Sequence, residues 1–208
     1  LQQRVPTVLD RAAIALLRPL LDGMATGLRR VHVGADALTW TGFVLGLGAA
    51  TAIAFGAYPT GLLMMLASRL CDGLDGAVAR QTQPTDRGAF LDIALDFVFY
   101  ASIPLAFAIA DPPGRALAAA TLLAAFVGTG ASFLAYAVLA ERRGMASTAY
   151  PRKGFYYLGG LTEASETLIC FVLMCLLPGW FAGFAYIFAA LCALTLTTRI
   201  VAGWRAFG

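Results

Sequence analysis

Charge is scarce in this sequence. Asp, Glu, Lys and Arg make up 13% of its 208 residues, about half the usual share of a soluble domain. Histidine occurs once, as His32, which excludes centres built on several imidazoles. The four cysteines are Cys71, Cys170, Cys175 and Cys192; no two form a CxxC and each lies in an apolar run. That excludes a zinc ribbon and a disulfide framework and leaves packing as their role. The formal net charge of +3 is too small to point to nucleic acid. The first apolar stretch carries too many arginines for a short leader peptide. Neither a long linker nor a second domain is expected.

Apolar sequence is what the chain has in excess, with 60% hydrophobic residues and a mean hydropathy of +0.76. About 20 apolar residues cross a bilayer as a helix. Six segments meet that length, near 37–57, 60–80, 89–110, 116–140, 155–177 and 181–203. The expected fold is therefore an all-α integral membrane protein with six transmembrane helices, occupying residues 34–208. Residues 1–33 read differently. Leu9, Ala13, Leu16, Leu20 and Met24 share one face of a helix, within about 60°. Arg11, Arg18, Asp22 and Arg29 fall opposite. This predicts an amphipathic helix lying in the membrane interface, kinked at Pro19.

Basic residues set orientation. Arg4, Arg11, Arg18, Arg29, Arg30, Arg87, Arg142, Arg143, Arg152, Lys153 and Arg205 fall on one side, and Arg115 alone on the other. The bias predicts both termini in the cytoplasm. Gly42 and Gly46 form a GxxxG in the first span, which suits close helix contact within a chain or in a homodimer. Tyr156, Tyr157, Trp180, Trp204 and His32 fit interfacial positions.

Four acids stand in the wrong solvent. Asp72, Asp75, Asp92 and Asp96 lie in or at the edges of the second and third spans. Each costs roughly 2.5–3.5 kcal/mol at mid-bilayer, so the group needs positive charge nearby. Asp72 and Asp75 are three apart, and Asp92 and Asp96 four apart, so each pair shares a helix face. The short turn Gln81–Arg87 predicts two antiparallel helices side by side, with all four carboxylates converging near the cytoplasmic end. Such hard oxygen donors suit Mg²⁺ or Mn²⁺ rather than zinc. Arg69 and Arg80 are the competing partners and would leave two acids over. Gly73, Gly76, Ala77 and Ala79 strip the same helix of side chains, so a ligand or another backbone can come close.

Residues 72–96, DGLDGAVARQTQPTDRGAFLDIALD, resemble the signature of the CDP-alcohol phosphatidyltransferase family, DxxDGxxARx₈GxxxDxxxD. Asp72, Asp75, Gly76, Ala79, Arg80, Gly88, Asp92 and Asp96 match; seven residues, not eight, separate Arg80 from Gly88. The size and the run Phe155–Thr167 look like the short bacterial YnjF-like branch. The resemblance implies a phosphatidyl group passed from CDP-diacylglycerol to an alcohol, with release of CMP. It implies two divalent ions, Mg²⁺ or Mn²⁺, on the four aspartates and Asp96 as general base. CDP-lipid contacts are implied at Asp36, Ala37, Leu38, Thr39, Gly76, Arg80 and Thr85. A bacterial inner membrane with the active site on the cytoplasmic side follows. The proline that commonly opens the family's first span is missing here.

On the acceptor side the candidates are Glu163, Glu166, Arg199, Arg152 and Lys153. Glu163 and Glu166 share a face of the fifth span, where they can orient an acceptor, pair with Arg199 or simply be hydrogen-bonded inside the bundle. Arg199 falls where some family members hold a phosphorylated acceptor, or it snorkels to the cytoplasmic face. Two other functions compete. An intramembrane prenyltransferase also offers aspartates to metal and diphosphate, but from two separated acid-rich motifs. A carboxylate-lined transporter would favour midplane acids and internal repeats, and the two halves of this chain show no repeat.

Overall fold

In the computed structural model, the described residues are 8–145 and 162–208, with side chains from residue 18 onward in the first stretch. All the regular structure among them is helical. The elements are α1 (Val8–Arg30), α2 (Ala35–Ala54), α3 (Tyr58–Gln81), α4 (Asp86–Ala110), α5 (Pro112–Arg142), α6 (Ala164–Leu176) and α7 (Phe181–Phe207). A single 3-10 turn, Pro178–Trp180, joins the last two.

Local chemistry sets the ends. Thr85 caps α4 by accepting from the Gly88 N–H at 3.1 Å. Asp111 caps α5 by accepting from the Gly114 N–H at 3.3 Å, ahead of a proline-led first turn. The carboxyl end of α1 closes with the Val33 N–H on the Leu28 carbonyl, and His32 takes φ 61°. Glycine usually fills that left-handed position. The helix runs through Pro19 without a break.

Helices α2, α4, α5 and α7, the last counted with its 3-10 turn, are long and apolar enough to cross a membrane. Large apolar side chains such as Val44, Leu63, Leu117 and Val127 face outward, as a lipid environment requires. Helix α3 matches them in length, with 24 residues, but carries Arg69, Asp72, Asp75 and Arg80. The fifth expected span departs from expectation. Thr162 and Glu163 are non-helical, and α6 has 13 residues. Glu163 is its N-cap, and Glu163 and Glu166 form a reciprocal capping box. A helix must satisfy its first N–H groups, and these two acids do so here, so they mark the start of the helix rather than its middle.

The core gathers Ile53, Met65, Phe99, Ile103, Phe107, Leu122, Phe171, Met174 and Phe181. Here α2 is the hub. Helices α3 and α4 each pack along it, and their backbones make few close approaches to one another. The antiparallel α3–α4 pair is thus bridged by α2 rather than packed along its own length. Like-charged carboxylates face each other between them, and α2 holds them apart. The GxxxG glycines serve this packing within the chain. A Cβ on Gly42 would lie 3.0 Å from the Cys71 Cβ, and one on Gly46 would lie 2.7 Å from the Phe99 ring. A second small cluster docks α1 on α3 through Ala25, Leu74, Ala77 and Val78, with Leu21 and Leu28 against it. Leu20 and Met24 remain exposed.

Candidate metal and nucleotide site

Helix geometry fixes the depth of the acids. Asp72 and Asp75 lie about 14 and 9 Å from the end of α3, and Asp92 and Asp96 about 9 and 15 Å from the start of α4. The two pairs therefore meet at the same level. One cleft is lined by Thr39, Gly42 and Phe43 from α2, by Arg69, Asp72 and Asp75 from α3, and by Asp92, Leu95 and Asp96 from α4. All four sequence-predicted carboxylates are brought together there.

Carboxylate oxygens of Asp72, Asp92 and Asp96 lie within 4.8 Å of one another. Two oxygens bound to one Mg²⁺ at about 2.1 Å are at most about 4.2 Å apart. Neighbouring oxygens on an octahedral ion stand about 3 Å apart, so the three carboxylates would close by up to about 2 Å on a small hard cation, and an all-oxygen donor set is the chemistry such a cation selects. Asp75 stands at the α2 side, buried, with its Oδ2 accepting from the Thr39 hydroxyl at 2.6 Å. Thr39, expected at the nucleotide, thus also positions an acid.

The arginines divide differently from the sequence expectation. Arg69 takes two acids at once, with Nη1 at 2.7 Å from Asp96 Oδ1 and 3.6 Å from Asp72 Oδ1. Arg80 takes none of the four and reaches Asp22 on α1 at 3.4 Å. Its fork lies over Gly76, where a Cβ would come within 3.4 Å of Nη1. Gln81 Nε2 donates to the Asp22 carbonyl at 2.8 Å, so α1 is clamped to the end of α3. The bare face of α3 is shared out accordingly. Gly76 makes room for Arg80, while Gly73 and Ala77 admit α1.

Of the expected nucleotide residues, Asp36 and Thr85 form a second group around Gly88. Asp36 pairs with Arg87. A Cβ on Gly88 would lie 3.2 Å from Thr85 Oγ1 and 3.7 Å from Asp36 Oδ1. Ala37 is exposed. The Leu38 side chain is buried in the α1–α3 cluster, because the position before Thr39 turns away from the cleft.

Among the acceptor candidates, Glu163 and Glu166 form the α6 cap. Arg199 is buried on α7, and its Nη1 donates to the Thr129 carbonyl on α5 at 3.0 Å. The neighbouring Gly130 packs against Phe97, next to Asp96. Arg152 and Lys153 lie outside the described residues. Residues that sequence reasoning did not place at the site are Gly42, Phe43, Leu95, Asp22 and Arg87. The glycine spacing at 42 and 46 was the available signal for α2, and nothing in the sequence announced Asp22.

Comparison with known proteins points to one family. A family model of the CDP-alcohol phosphatidyltransferases matches residues 32–201. The inner membrane protein YnjF of Escherichia coli K12 is 49% identical over 197 residues, 95% of this chain and 96% of that protein. Archaetidylinositol phosphate synthase of Methanothermobacter thermautotrophicus is 40% identical over 82 residues, 39% of this chain and 40% of that one. The fold resembles that of the Mycobacterium tuberculosis phosphatidylinositol phosphate synthase solved with CDP-DAG bound. The TM-score is 0.71 at 22% identity, over 89% of this chain and 94% of that one. The same enzyme solved with manganese and citrate gives 0.70 at 22%, over 88% of each chain.

Proposed function

The chain belongs to the CDP-alcohol phosphatidyltransferase family, a family of membrane enzymes of phospholipid headgroup transfer, and from that premise we propose that it moves the phosphatidyl group of CDP-diacylglycerol onto an alcohol. Asp72, Asp75, Asp92 and Asp96 hold divalent metal, two ions of Mg²⁺ or Mn²⁺. The observation that carries the reading is the convergence of these four acids, from two helices held apart by α2, on one cleft.

When bound, the ions neutralise the diphosphate and the departing CMP. The remaining work falls to the chain. Positioning and charge dominate phosphoryl-type transfer. Arg80, with its planar fork over Gly76, takes a nucleotide phosphate, while Asp36 to Thr39, with Thr85, border the nucleotide. Asp96 accepts the proton of the acceptor hydroxyl as the new oxygen–phosphorus bond forms and the bond to CMP breaks. Arg199 is the acceptor-side residue this reading favours, one helix from the carboxylates. The lipid tails stay in the bilayer beside α2 to α4. The reading takes residues 34–208 as a six-crossing domain in a bacterial inner membrane, with the site facing the cytoplasm. Residues 1–33 lie in the interface, with Leu20 and Met24 toward lipid.

The test is release of CMP from CDP-diacylglycerol by the purified chain in detergent, with and without Mg²⁺ or Mn²⁺, against a panel of alcohols. Cation-dependent CMP release with one alcohol incorporated supports the reading. Asp96→Asn is expected to lower turnover by about 100-fold or more while CDP-lipid binding largely survives. Full activity in chelator, or full activity of Asp96→Asn, would sink it.

A further inference from the structure

Arg69 lies about 18 Å from the end of α3, near the middle of a helix about 36 Å long. It occupies the deep side of the carboxylate cluster, and its side chain is 12% exposed. Such a guanidinium is expensive inside a membrane unless it is held. Here it is held on three sides. Its Nη1 reaches Asp96 and, less closely, Asp72. Its Nη2 donates to Ser68 Oγ at 3.3 Å. Its central carbon stacks 3.8 Å over the Phe99 ring centroid. Ser68 in turn donates its own proton to the Gly42 carbonyl at 2.7 Å. That leaves the Ser68 lone pairs for Arg69. One hydrogen-bonded line thus runs from the α2 backbone through Ser68 and Arg69 to Asp96 on α4.

We propose that Arg69 is a positioning residue for Asp96 and the built-in counter-cation that sets how tightly the cluster takes divalent metal. The proposal rests on the transferase reading for the role of Asp96. Arginine keeps its proton at any working pH, so Arg69 takes no proton itself. By occupying Asp96 Oδ1 it leaves the other carboxylate oxygen for a cation or an incoming proton. A flexible ammonium on the same stem would supply the charge without the plane that Phe99 and Ser68 fix.

The two halves of the proposal move opposite quantities. Without Arg69 the cluster gains a full negative charge and draws cations harder, while Asp96 loses its tether. A residue that merely supports the fold would weaken both properties together.

The experiment compares the wild-type chain with Arg69→Met and Arg69→Lys in detergent. Mn²⁺ affinity is read from the electron paramagnetic resonance of free Mn²⁺, and CMP release at saturating Mn²⁺ gives kcat and KM. Thermal unfolding is followed in chelator and in Mn²⁺. Arg69→Met is expected to bind Mn²⁺ about tenfold more tightly while kcat falls about 100-fold. Its loss of thermal stability in chelator should be largely recovered in Mn²⁺. Arg69→Lys should keep Mn²⁺ affinity within about threefold and lose about tenfold in kcat, with KM for CDP-diacylglycerol little changed. Parallel loss of Mn²⁺ affinity and kcat in Arg69→Met would overturn the proposal, as would unchanged kcat in either variant. Should Arg69→Met fail to fold, the kcat of Arg69→Lys decides. A wild-type chain that binds Mn²⁺ yet releases no CMP would defeat the transferase reading instead. The Mn²⁺ affinity of Arg69→Met would then still decide the counter-cation half.

Discussion

At the scale of single residues, periodicity along one helix told which acids share a face, and the cleft contains all four. What it could not tell is which side chain on another helix meets each acid. The bond from Thr39 to Asp75 and the fork from Arg69 to Asp96 both cross helices, and their partners stand 36 and 27 residues away in sequence. Even Arg80, seen as a partner for the signature acids, turns to Asp22, 58 residues away. The Thr39 hydroxyl also lies 3.1 Å from the Ala35 carbonyl, but the shorter, charged acceptor is Asp75. A hydrogen bond to a charged group contributes about 1.5–3 kcal/mol. Thr39→Val keeps the shape and removes the donor, so Asp75 becomes less well held. Mn²⁺ affinity is expected to fall about tenfold, and Thr39→Ser should restore most of it. An unchanged Mn²⁺ titration of Thr39→Val would leave that hydroxyl without a part in the cation site.

At the scale of elements, the apolar runs placed α2, α3, α4, α5 and α7 within a few residues of their observed ends, because burial in lipid fixes helix length directly. The exception is instructive. Composition suggested one span over 155–177, yet the polar pair Glu163 and Glu166 starts a helix at Ala164. The spacing of a capping box was visible in the sequence, but the hydrophobic count outweighed it. The hub position of α2 was also hidden, since GxxxG does not say whether its partner is the same chain. Gly42 decides this physically. A Cβ there would meet the Cys71 Cβ at 3.0 Å and the Ser68 carbonyl oxygen at 3.2 Å, and neither is a free-swinging side-chain tip. Gly42→Ala should therefore push α2 off α3 and destabilise by about 2 kcal/mol, read as thermal unfolding in detergent. Gly27 on α1, where a Cβ meets nothing within 4 Å, is the control. Gly27→Ala should be neutral or stabilising by about 0.5–1 kcal/mol. Equal behaviour of the two alanines would contradict the close α2–α3 approach.

For the whole molecule, the two ends of the bundle differ in how their cations are used. At the end away from the cleft, Arg115 Nη1 donates to the Tyr58 hydroxyl at 2.7 Å, and its Nε lies 3.6 Å from Asp111. Tyr58 stacks on Phe107, and Phe107 on Phe181, at centroid distances of 5.5 and 4.6 Å. That arginine is part of an aromatic cap, and one arginine does not offset the number at the other end. The cleft end carries Arg87, Arg142, Arg143 and Arg205, and Arg143 also closes α7 by donating to the carbonyls of Ala206 and Phe207. An excess of basic residues near the ends of spans favours the cytoplasmic side, where a nucleotide-bearing substrate would also have to enter. Two exposed residues, one in the first turn of α5 and one between α3 and α4, test the orientation. Pro113→Cys should react with a membrane-impermeant maleimide in intact spheroplasts. Gln83→Cys, between Arg80 and Gly88, should react only after permeabilisation. The unaltered chain, whose cysteines are buried or half-buried, supplies the background. Labelling of Gln83→Cys in intact spheroplasts would put the carboxylate cleft on the outer face and reverse the assignment.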